Sequence, residues 1–178
     1  MKLFSLLFIT LFLASCANKN VVAAQLSYHT ETPKGEYKST VFSYTHKGRI
    51  LNMRRIPDFT LTDIATHSPF VAKDTSYGTI FTLNQRGKHR LYNHTVSNQG
   101  YHMISSVNGN LSEPLKIDKP IGDGKLVIWN GLTERDIHQL NFTVPHEGDT
   151  ADMTKERIKL AKKALKKYKS PQANSEFN

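Results

Sequence analysis

A chain of 178 residues with 38% hydrophobic and 22% charged residues has a globular composition and enough length for one domain with a real core. This excludes a disordered or low-complexity polymer. Its single cysteine excludes an internal disulfide framework and a zinc site built from several thiolates. The formal charge of +9 is unevenly spread: residues 151–169 hold eight basic residues against Asp152 and Glu156, so the rest of the chain is close to neutral.

Met1-Lys2 precedes "LFSLLFITLFLA", an apolar run of 12 residues. At about 1.5 Å per residue it spans roughly 18 Å, short of a ~30 Å hydrocarbon core, so residues 1–16 are expected to be a signal peptide. Its end, Leu13-Ala14-Ser15-Cys16, resembles the bacterial lipobox. That resemblance implies cleavage before Cys16, a diglyceride on its sulfur and an acyl chain such as palmitate on the new N-terminus. Ala17 stands where an aspartate marks retention in the inner membrane. The implied location is therefore the periplasmic face of the outer membrane, lipid-anchored, with residues 17–22 as a tether.

Residues 23–57 read as an N-terminal β region. "AAQLSYHTE" is strand-like, "ETPKG" is a turn, and in "EYKSTVFSYTH" Tyr37, Ser39, Val41 and Ser43 alternate with Lys38, Thr40, Phe42 and Tyr44. A turn around Gly48 leads to "ILNM". Residues 58–148 read as an α+β domain. Its first strand, in "DFTLTDIATHSPFVAKD", is expected to break at Ser68-Pro69, and "SYGTIFTLN" follows as a second. Asn84 caps a helix running through "QRGKHRLYNHTVSNQ", with Gly100 beyond its end. "YHMISSVNG", "NLSEPLKI" and "KLVIWNG" are strands. Asn108-Gly109 tolerate the positive φ of a tight hairpin turn, and Pro114 marks the edge or end of the returning strand. Thr133 with Asp136 opens a helix at "TERDIHQL". Residues 149–178 carry a basic helix with Ile158, Ala161, Ala164, Leu165 and Tyr168 on one side, and Lys155, Lys159, Lys162, Lys163, Lys166 and Lys169 on the other. The fold class expected is α+β, mostly antiparallel sheet, in the order strand, helix, hairpin, strand, helix, then the basic helix.

Local motifs for catalysis are missing. His89 and His94 lie five residues apart, about 140° around a helix, and share no face. His102, His138, His146 and Glu147 could meet only through tertiary structure. No serine lies in G-x-S-x-G or S-x-x-K, and "IGDGKLV" fits neither phosphate-loop pattern. The expectation is a non-enzymatic protein without metal or cofactor. Trp129 is expected in a core or an interface.

From Tyr77 to Leu140 the elements follow an ordered spacing. A strand leads into a helix that closes with Thr95, Asn98 and Gly100; an apolar strand reaches Asn108-Gly109, with Pro114 beyond; then come Ile121, Gly124, Ile128, Gly131, Leu132 and Thr133. In this order the stretch resembles the head of the large periplasmic domain of SecD and SecDF, accessory subunits of the protein-export translocon. "FTLTDIATHSPFV" resembles the approach to that head. In that family the head contacts polypeptides emerging from the translocon, so the resemblance implies binding of polypeptides or translocon components. The family's proton-driven work needs transmembrane helices that this sequence does not offer, so motor function is not expected. Asn108 departs from the usual aspartate, and Ser105 and Ser106 occupy a strand that is apolar in the family.

Two candidate interaction surfaces follow. One is the hairpin tip, Asn108, Gly109 and Asn110, with the strand edges near Pro114 and Pro69 open to strand addition. The other is Lys162, Lys163 and Lys166 on the basic helix, suited to anionic lipid, lipopolysaccharide or wall polymer; the alternative is a docked helix whose apolar stripe packs on the sheet and whose lysines are simply solvated. Nucleic acid is not an expected partner of an exported lipoprotein.

Overall fold

The structure, a computed structural model, describes residues 23–33 and 38–168. Cys16, the tether, Lys34 and Gly35 of the "ETPKG" turn and Lys169 lie outside the described residues. In chain order the elements are β1 (Leu26–Thr30), β2 (Val41–His46), β3 (Arg49–Arg54), β4 (Phe59–Thr60), β5 (Ile64–Val71), β6 (Tyr77–Leu83), α1 (Gln85–Ser97), β7 (His102–Val107), β8 (Asn110–Leu111), β9 (Leu115–Lys116), β10 (Lys125–Leu132), α2 (Glu134–Thr143) and α3 (Ala151–Lys167). The fold is α+β, and its named strands pair antiparallel throughout. No helix among the described residues is long and apolar enough to cross a membrane.

The central sheet has the order β4-β1-β7-β8, with β9 also paired to β7. Period-two alternation gives β1 two buried faces. Leu26 and Tyr28 join the main core, whereas His29 points to the other side, where its ring meets Phe42 edge-on at 5.3 Å. There the β2–β3 hairpin covers the sheet with a second cluster, Leu51, Met53 and Ile104 backed by Phe42 and Tyr44. Lys47 (φ 48°) and Gly48 (φ 77°) form the hairpin's turn. The boundary expected at residues 57/58 is therefore bridged by backbone: β1 pairs with β4 through Tyr28↔Phe59 and with β7 from Leu26↔Val107 to Thr30↔Met103.

The main core lies between this sheet and a three-stranded sheet of order β10-β6-β5, closed by α1 and α2. Tyr28 and Phe81 meet edge-on across it at 6.5 Å. Asn84 caps α1 by accepting the Gly87 N–H at 2.9 Å. Gly87 is tolerated in the helix because α1 passes so close to the chain that a Cβ there would lie 2.8 Å from the Asp63 carbonyl oxygen. Thr133 and Asp136 form the reciprocal cap of α2.

Two expectations are corrected. The strand after Pro57 breaks at Leu61–Asp63, a short 3-10 turn in which the Asp63 carboxylate accepts the Thr60 N–H at 3.0 Å, and not at Ser68-Pro69. Pro69 lies inside β5, which tolerates it because β5 is an edge. The apolar stripe of α3 packs on α2 instead of on a sheet: Ala161 and Leu165 are buried there, Arg157 holds Asp149 through two bonds of 2.9 Å, and Tyr168 Oη donates to Glu134 at 3.2 Å.

Candidate functional site

The two sheets do not join, and the space between them is bounded by two strand edges. Leu83 N–H donates to the Gly124 carbonyl at 2.9 Å, so by antiparallel alternation Leu126 and Ile128 bond to β6 while Val127 turns its N–H and C=O away. On the opposite side Ser112 N–H donates to Ser105 and Ile117 N–H to Tyr101, each at 2.8 Å. Leu111 and Lys116, the alternate positions of β8 and β9, therefore turn their backbone outward. The register on β7 slips by one residue between Ser106↔Leu111 and Met103↔Leu115, where buried Pro114 bends the returning strand.

Between these edges lies a groove of about 290 Å³, lined by Leu115, Ile117, Leu126, Val127 and Trp129, with Tyr28 and Met103 of the central sheet on its inner side. Lys116, Lys119 and Lys125 stand around it with Glu113 and Asp118. Tyr28 is 3% exposed, and its hydroxyl has no hydrogen-bond partner among the described residues. Burial pushes that phenol well above the usual tyrosine range, so it is a neutral donor. An unpaired buried hydroxyl costs roughly 1–3 kcal/mol, and a ligand carbonyl in the groove would recover part of that. Trp129 is 60% exposed and meets Phe70 at 6.4 Å. Phe70 can lie across β6 because the strand there is Gly78, where any Cβ would collide with its ring.

The residues singled out from sequence fall in different places. Asn108 (φ 54°) and Gly109 (φ 88°) make the expected turn between Val107 and Asn110, but the Asn108 side chain turns inward. Its Nδ2 donates to Asp136 at 2.6 Å and to Gln139 at 2.7 Å, and its Oδ1 accepts the Gln25 N–H at 3.0 Å. An amide can donate to Asp136 where an aspartate at position 108 would repel it. Gly109 and Asn110 are exposed at the tip, and Pro114 is buried between Glu113 and Leu115, which line the groove. Lys162, Lys163 and Lys166 are exposed on α3, and the Lys162 ammonium sits 5.3 Å over the Phe142 ring. Ser105 keeps its place in the core side of β7 through a 2.5 Å hydroxyl contact with Ser112.

The histidines have structural partners. His102 donates through Nδ1 to buried Glu31 at 2.7 Å, and Arg49 holds the other carboxylate oxygen at 2.8 Å. His94 bonds Thr30 at 2.7 Å, and burial holds its pKa below the usual value. His138 pairs with Glu134 at 3.5 Å, His146 bonds Asn141 at 2.6 Å, and Glu147 accepts from Ser68 at 3.2 Å. No three His, Cys, Asp or Glu side chains gather as a cation site among the described residues. Tyr28 and Val127 were not foreseen as site residues: nothing local distinguishes them from other strand positions, and only Trp129 carried a signal.

No family model and no curated protein matches the chain. Among solved structures it is similar to SecDF, described as a membrane component that enhances protein export, at 14% identity over 66% of this chain and 60% of that one, with a TM-score of 0.48. It is also similar to SecDF in its super-membrane-facing form, at 17% identity over 61% of this chain and 17% of that one, with a TM-score of 0.45. The chain thus spans less than two thirds of the length of either.

Proposed function

We propose that this chain is a non-catalytic, lipid-anchored envelope protein that binds extended polypeptide segments by strand addition in the groove between β9 and β10. The observation that carries the reading is the pair of outward-facing edges, Lys116 on one side and Val127 on the other, flanking one apolar groove. A strand laid there would exchange main-chain hydrogen bonds with the β10 edge whatever its sequence, and alternate side chains would enter the apolar lining. Trp129 supplies an exposed aromatic anchor, and the Tyr28 hydroxyl a donor for a peptide carbonyl. The ordered residues from Thr95 to Thr133 support polypeptides in transit, or export-machinery components, as the class of partner. Leu13-Ala14-Ser15-Cys16 supports the lipid anchor, and Cys16→Ala is expected to abolish the acyl mass increment in whole cells.

The test is titration of the protein into a dye-labelled decapeptide of alternating valine and threonine, followed by anisotropy. Saturable binding is expected. Val127→Pro removes an outward N–H without taking a bond from β6, so the fold should persist by circular dichroism while affinity falls about tenfold or more. Unchanged affinity in Val127→Pro, or no binding by the native chain, would overturn the reading.

A further inference from the structure

The two sides of α3 have different fates. Ala161 and Leu165 are buried against α2, with Arg157, Ile158 and Ala164 half-buried beside them, so the apolar stripe is already used inside the molecule. At about 100° per residue, Lys155, Lys159, Lys162, Lys163 and Lys166 fall within an arc of about 100° on the opposite, exposed side. Lys155 pairs with Asp152 at 3.2 Å, but Lys159, Lys163 and Lys166 pair with no acid among the described residues. Beside this arc Leu160 is 60% and Met153 50% exposed, two turns apart on the same line of the helix.

These lysines follow the helix axis for about 17 Å and do not converge on a point. A compact anion could reach only one or two of them, whereas a plane of anionic headgroups could meet Lys159, Lys163 and Lys166 together. Leu160 and Met153 add apolar contact that a soluble polyanion would not use and that the acyl boundary of a bilayer would. We propose that the outer face of α3 rests on an anionic phospholipid leaflet, with its lysines among the headgroups and Leu160 and Met153 reaching between them. Because α3 is clamped to the domain by the Arg157–Asp149 pair and the Tyr168–Glu134 bond, this contact would fix the orientation of the whole domain on the membrane. The inference is independent of the groove.

The experiment is hydrogen exchange of the full chain on vesicles of neutral phosphatidylcholine and on vesicles with about 30% phosphatidylglycerol. A lipid anchor would bring the chain to both, so the readout is local: exchange across residues 151–168. Protection is expected on the anionic vesicles alone and should fade in about 0.5 M salt. The triple variant Lys159→Glu, Lys163→Glu, Lys166→Glu changes only exposed side chains and should weaken it about 100-fold, at about fivefold per lysine. Leu160→Gln should weaken it severalfold. Equal exchange on the two vesicles, or protection indifferent to charge reversal, would overturn the proposal. So would competition by soluble polyphosphate with no effect of Leu160→Gln, which would make the face a general polyanion site.

Discussion

The three-stranded sheet ends in two strands that meet the outside differently. Along β5, the His67 N–H donates to the Pro145 carbonyl at 3.0 Å and the Glu147 N–H donates back to His67 at 3.2 Å, so residues 145–147 lie along that edge as a cover. The next outward position is Pro69, which has no N–H to offer. Along β10 the Lys125 N–H is taken by the Asp123 side chain at 3.0 Å, while Val127 faces the groove. An uncovered edge invites pairing with any other chain, and this molecule blocks one edge twice over while leaving the other beside an apolar groove. The openness of β10 is therefore a local property of that strand, and variants can separate the two edges.

The largest effect belongs to the covered edge under acid. Burial first, then the neighbouring charges of His146 and Arg157, hold the His67 pKa down at about 3. A histidine neutral in the fold and titrating near 6.5 when unfolded contributes its full stability above pH ~6.5, and that contribution is lost as pH falls toward 3, at about 1.4 kcal/mol per unit. His146 and His94, also lowered chiefly by burial, act in the same direction. Thermal unfolding between pH 7 and pH 4 should show a loss of about 3 kcal/mol, and His67→Gln should flatten it. An unchanged slope in that variant would place the acid sensitivity elsewhere.

Glu147→Pro removes the N–H that covers β5 and should cost about 1–3 kcal/mol in denaturant unfolding, with faster exchange along β5 and none added along β10. Tyr28→Phe tests the open side. Removing a hydroxyl with no partner should leave stability level or raise it by about 1 kcal/mol, yet weaken decapeptide binding about fivefold. A loss of stability would mean that the hydroxyl has a partner in solution. The smallest effect is Pro69→Val, within about 0.5 kcal/mol in stability. It restores an outward donor on β5, so light scattering should reveal more self-association than the native chain shows.

Features decided within a few residues were legible in the sequence. Asn84 capping α1, Thr133 with Asp136 opening α2, the Asn108-Gly109 turn and the sidedness of α3 each rest on short-range sterics and hydrogen bonding. The break in the strand after Pro57 was misplaced, because Pro69 is the louder local signal. The actual break depends on Asp63 bonding back to Thr60 and receiving Arg90 at 2.6 Å from a helix 27 residues on.

By itself, then, the sequence determined the α+β class, the strand and helix identities and their caps, since periodicity and turn chemistry act through neighbours along the chain. Tertiary structure alone decided that β1 lies between β4 and β7, that the Asn108 amide staples the hairpin to α2, and that α3 spends its apolar stripe on a helix and shows its lysines outside. It alone set Tyr28 and Val127 on one groove. Those outcomes depend on residues tens of positions apart meeting across a core, and the free energy of such contacts comes from shared burial, which no local pattern encodes.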